Sequence, residues 1–205
     1  MPAPEVQMLS QENGKTLGHV NLMVDTLIAN ASLEDLRAIT RNLLSTGAPS
    51  LASAFTAAAR ARLRQSSARR LATTNGLFTT PHGIAAIPTP ELNNVLSRAR
   101  SLYGAGMGFA SLGVLSSVVR ATIGLRWEPE GPVADALAVI DADISQAIQS
   151  CKEEFEGGRV GDMAGARDAI SNLWAEIQDS SKDVEIWGGE FPFDRAANSI
   201  EYWKI

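Results

Sequence analysis

Cysteine is almost missing from this chain of 205 residues: Cys151 stands alone. A single thiol excludes an internal disulfide and any zinc site built on cysteines. Histidine is nearly as scarce, His19 and His82 being the two present. With no serine elbow either, there is little from which to assemble a nucleophilic centre. The glycines at 104, 106 and 108 complete neither a Gly-x-Gly-x-x-Gly nor a Gly-Lys-Ser/Thr phosphate loop. No Glu-x-x-His pair suits a metal centre in a helical bundle, and no calcium loop of the EF-hand type occurs. No enzyme activity, metal or cofactor is therefore expected. Glu5, Gln7, Gln11 and Glu12 interrupt the first residues before an apolar signal region can form. The expectation is an intracellular protein, cytoplasmic or nuclear.

What the chain does have is uneven charge. Residues 1–126 carry twelve Lys and Arg against six Asp and Glu, a balance of +6. Residues 127–205 carry six against seventeen, a balance of −11, and the two sum to the net −5. Fourteen of the eighteen cations are arginines, which favours bidentate contact with carboxylate or phosphate. One long uncharged stretch, Ser101 to Val119, includes the pair Gly104-xxx-Gly108. It reads as a buried central helix, and as the segment that would serve if the protein were membrane-associated.

Helical periodicity recurs, and no run of strand alternation does. Leu17, Val20, Val24, Leu27 and Ile28 share one face. Ser32-Leu-Glu-Asp35 reads as a capping box opening a second helix with Leu33, Leu36, Ile39, Leu43 and Leu44. Gly47 stands at its end, and Pro49 fits the first turn of a third helix. Asn75-Gly76, Pro81, Gly83 and Pro88 punctuate a loop, after which Thr89-Pro90-Glu91 looks like a capped helix start. Farther on, Val133, Leu137, Ile140, Ile144, Ala147, Cys151 and Phe155 form one stripe. Met163, Ala166, Ile170, Leu173, Ile177, Val184 and Trp187 form another, with a Gly-rich turn between them. The expected fold is all-α, a bundle of six or seven helices ending in a long antiparallel helical hairpin. The expected organisation is a basic helical group over 1–72, a loop over 73–88, and 89–205 sharing one core with the first group.

Two charged surfaces are the candidate sites. Arg60, Arg62, Arg64, Arg69 and Arg70 suit a phosphate or carboxylate partner, with Arg60 and Arg64 on one face. Asp135, Asp141, Asp143, Glu153, Glu154 and Glu156 read as a solvated face that can dock a basic partner. The leading expectation is a non-enzymatic adaptor or subunit of a larger assembly, joined to another protein or to a second copy. The alternatives are the membrane-associated protein using residues 101–119 and a nucleic-acid-binding module using Arg60–Arg70. Overall acidity and the lack of aromatics among the arginines weigh against nucleic acid.

Overall fold

A computed structural model describes residues 23–69, 76–80 and 85–203. His19, His82 and Arg70, the Arg69 side chain, Leu17, Val20, Asn75, Pro81 and Gly83 lie outside the described residues. The protein is mostly helical, with eight helices among the described residues. Helix α1 is described over 23–30, and is followed by α2 (Leu33–Thr46) and α3 (Pro49–Arg69). Then come α4 (Pro90–Gly104), α5 (Gly108–Arg120), α6 (Pro132–Glu156), α7 (Met163–Trp187) and α8 (Asp194–Glu201). The Ser32 hydroxyl accepts the Asp35 N–H at 3.0 Å, as an N-cap should, and itself donates to the Asp35 carboxylate.

The chain divides into two compact units, Met1–Phe55 and Thr56–Ile205. The division falls inside α3, whose second half sends Leu63 against the large core. Within 73–88 the described residues, 76–80 and 85–88, include paired backbone. The two-residue strands β1 (Phe78–Thr79) and β2 (Ile87–Pro88) pair antiparallel, and Leu77 and Ala86 beside them are buried. Runs this short carry no readable alternation, so sequence periodicity misses them. Thr89 stands at the N-cap of α4, but its hydroxyl donates to the Gly76 and Leu77 carbonyls at 2.7 and 3.1 Å. The side chain that looked like a helix cap instead ties the β-turn segment to the helix.

In the second unit α5 occupies the middle. Leu112, Leu115, Val118 and Val119 are fully buried, and α4, α6 and α7 all pack on this one helix. The two long stripes are as periodic as expected: Val133, Leu137, Ile140, Ile144 and Cys151 are buried on α6, and Leu173, Ile177 and Val184 on α7. Their partner differs from the expected hairpin seam, because both stripes face α5 and the direct contact of α6 with α7 is slight. A helix apolar around most of its circumference needs cover on several sides. Gly108 lets α5 start close to α6, since a Cβ there would overlap the backbone of Ser150 and Cys151. Gly104 meets nothing within 4 Å, so only one glycine of the pair serves close approach.

Residues 101–119 are divided between two helices. The chain leaves α4 at Gly104, turns at Gly106 with φ +71°, and re-enters a helix at Gly108. The 13 residues of α5 extend about 20 Å, short of a hydrocarbon layer of about 30 Å. Among the described residues no helix is long and apolar enough to cross a membrane. The last described helix, α8, packs on α6 and α7 behind the fully buried Phe193.

Candidate functional site

The two acidic residues at the centre of α6 leave the docking face on which sequence reasoning put them. Asp141 and Asp143 are both buried, each holding a different helix. Being two apart they point to different sides, so one turn of α6 serves two neighbours. Asp143 accepts from Arg100 of α4 through Nε at 3.0 Å and Nη2 at 2.7 Å, and from the Tyr103 hydroxyl at 2.9 Å. The bond to Asp143 raises the Arg100 pKa above its ordinary value. Burial, and then that same carboxylate, raise the Tyr103 phenol. Asp141 accepts the Ala196 N–H at 2.9 Å in the first turn of α8, whose own N-cap, Phe193, has no side-chain acceptor to offer. A carboxylate from α6 thus caps α8.

Burial of Asp141 outweighs these backbone hydrogen bonds and raises its carboxyl above the usual range. The native state therefore binds this proton more readily than the unfolded chain, and the contribution to stability falls as pH rises through that window. Lowering the pH from neutral to about 4.5 should favour the wild type relative to Asp141→Asn, read as the difference between their urea midpoints. Asp141→Ala should cost about 2 kcal/mol at neutral pH through loss of the charge-assisted cap.

Of the remaining acidic candidates, Asp135, Glu153 and Glu156 are exposed. Glu154 is half-buried and accepts the Phe109 N–H at the start of α5 at 3.3 Å. In the arginine cluster, Arg60 donates to the Ala105 carbonyl at 3.4 Å, where α4 ends. Arg62 and Arg64 are exposed. Cys151 lies in the core under α5, and burial pushes its thiol far above the ordinary range, so it is not poised as a nucleophile. Among the described residues no group of three or more His, Cys, Asp or Glu could hold a metal ion.

Two surface features were not anticipated. The first is apolar. Met23, Leu27, Ile28, Leu33 and Leu43 are each more than half exposed, and α2 has no buried residue. The helical spacing of these side chains is that of a face meant for burial.

The second is a cleft of about 870 Å³ lined by residues of α6, α8 and the turn after α7. Gly188 takes φ +72° to end α7, and Gly189 leaves room for the Trp187 ring, which folds back over it. Trp187 meets Trp127 edge to face at 5.0 Å, and the two indoles line the cleft together with Phe191. The Trp187 Nε1 is buried without a hydrogen-bond partner. The segment Trp187-Gly-Gly-Glu-Phe-Pro-Phe193 reads in sequence only as a turn, and its two adjacent glycines beside three aromatics are the one local mark of the cleft. No protein-family model, curated protein or solved structure matches the chain.

Proposed function

We propose that the protein is a non-enzymatic helical adaptor or subunit of a larger assembly, and that α1 and α2 are its principal docking element. The observation that carries this reading is the exposed apolar side chains of both helices, Met23, Leu27 and Ile28 on α1 and Leu33 and Leu43 on α2. Exposed apolar residues at helical spacing are a common basis of helix-mediated recognition. The charged surfaces take a smaller part than their totals suggest, because Asp141, Asp143, Glu154 and Arg60 already have partners inside the second unit.

Light scattering coupled to size exclusion tests this reading. The expected result is a species heavier than the 21.8 kDa chain that persists in high salt, since apolar contacts are not screened. Leu27→Ser with Leu43→Ser should reduce it to a monomer without loss of helicity, both side chains being exposed. A wild type that is monomeric at every salt concentration, and that co-purifies with nothing the double variant loses, overturns the reading.

A further inference from the structure

The cleft beside Trp187 combines features that neither the packing of the helices nor the α1–α2 face requires. Its volume of about 870 Å³ lies within the range of small-ligand and peptide side-chain pockets, about 300–1,000 Å³. Four carboxylates and one cation line it: Asp135, Asp141, Glu190 and Asp194 against Arg195, a formal −4 + 1 = −3. Asp141 is buried and held by α8, a fixed negative charge in the lining. Asp135, Glu190 and Asp194 are exposed, and their carboxylates make no hydrogen bond or ion pair among the described residues. Arg195 does not neutralise them. Its side chain is 77% exposed and comes no nearer to Asp141 than 4.0 Å.

The protein itself shows what such surroundings bind. The Arg126 guanidinium lies 5.4 Å from the Trp187 ring centroid while pairing with Asp183 at 3.0 Å. An indole face and a carboxylate together hold a guanidinium there. The cleft sets the half-buried Phe191, beside the buried Trp127, in one lining with three unpaired carboxylates. A net charge of −3 disfavours anions. The aromatic lining favours the planar, weakly hydrated guanidinium over a strongly hydrated ammonium. The volume exceeds a bare cation and accommodates an arginine with its neighbouring residues.

We infer that this cleft is a recognition site for an arginine-bearing peptide segment of a partner protein. The guanidinium pairs with Asp135, Glu190 and Asp194, while its planar group and aliphatic stem lie against the aromatic lining beside Phe191. The site lies wholly in the second unit and does not depend on the role given to α1 and α2.

The test is a titration of the full chain with acetyl-Arg-Ala-Arg-Ala-amide, followed by tryptophan fluorescence and by calorimetry. Its lysine and citrulline counterparts and free arginine amide are titrated in parallel. Saturable binding of the arginine peptide is expected, weakened several-fold between about 50 and about 500 mM NaCl. The lysine peptide should bind about tenfold more weakly, and the uncharged citrulline peptide not measurably. Asp135→Asn with Glu190→Gln should weaken binding about tenfold. Glu156→Gln with Asp168→Asn, equal in charge and outside the cleft lining, should change it by less than twofold. Arg195→Gln should tighten it, by removal of the like charge. All these positions are exposed, so the fold is not at risk. Absence of saturation, or equal weakening by the two double variants, overturns the proposal, the latter by reducing it to diffuse attraction. Arginine amide binding as tightly as the peptide also overturns it, in favour of a small guanidinium ligand.

Discussion

Gly108→Ala is expected to destabilise the second unit by about 2–3 kcal/mol, although alanine is the better helix former. The added methyl meets the Cα of Cys151 and the carbonyl carbon of Ser150 at 2.8 and 2.7 Å, and the Cys151 backbone N closer still. All three are backbone atoms of α6, so no rotamer change relieves the overlap. The start of α5 has to move away, and the fully buried Leu112 and Leu115 move with it. Gly113→Ala, one and a half turns along the same helix, supplies the contrast. Gly113 is exposed, and nothing lies within 4 Å of a Cβ there. That change should stabilise by about 0.5–1 kcal/mol through the unfolded chain and helix propensity. Urea denaturation of the two variants decides the matter. A neutral Gly108→Ala would mean that α5 and α6 do not approach this closely.

The Asp143 cluster sets the second large effect. Asp143→Ala should cost about 2–3 kcal/mol, less than the ~3–5 kcal/mol typical of breaking a buried pair. The discount follows from Arg100, whose side chain is 42% exposed and regains water when its partner is removed. Arg100→Met should cost at least as much, because it strands a carboxylate that is 8% exposed with the Tyr103 hydroxyl as its one remaining donor. The same cluster imposes a limit at high pH. Tyr103 titrates above its ordinary value, chiefly because it is buried, so the native state retains a proton that the unfolded chain gives up. Stability is unaffected below about pH 10 and falls as pH rises from there through the native pKa. Tyr103→Phe should start less stable by about 1 kcal/mol and lose less between pH 9 and 11 than the wild type. Parallel limbs in the two proteins would exclude Tyr103 as the cause.

The stripes on α6 and α7 were readable in the sequence because burial of one side of a helix leaves a 3.6-residue period. What they pack against was not. A stripe on α7 has the same period whether it meets α6 or α5, and the order of helices in space is not a local property of the chain. Charge was the least legible signal. Asp141 and Glu153 look alike in sequence, but one caps a helix in the interior and the other is exposed. A composition count assigns both to the same acidic face, because burial of a charged side chain is decided by partners distant in sequence. Asp143 finds Arg100 and Tyr103 about forty residues earlier, and Asp141 finds α8 fifty-five residues later. The cleft was half legible: the paired glycines and aromatics announced a turn, while Trp127 and Asp135 reach it only through the tertiary fold.

The central place of α5 bears on how the chain is made. One of its neighbours, α4, precedes it, but α6 and α7 follow, so ribosomes deliver this apolar helix well before its cover. At ~5–20 residues per second, several seconds pass between synthesis of Arg120 and of Trp187. Over that interval the nascent chain presents Leu112, Leu115, Val118 and Val119 without the cover of α6 and α7, the profile of a client for ribosome-associated chaperones.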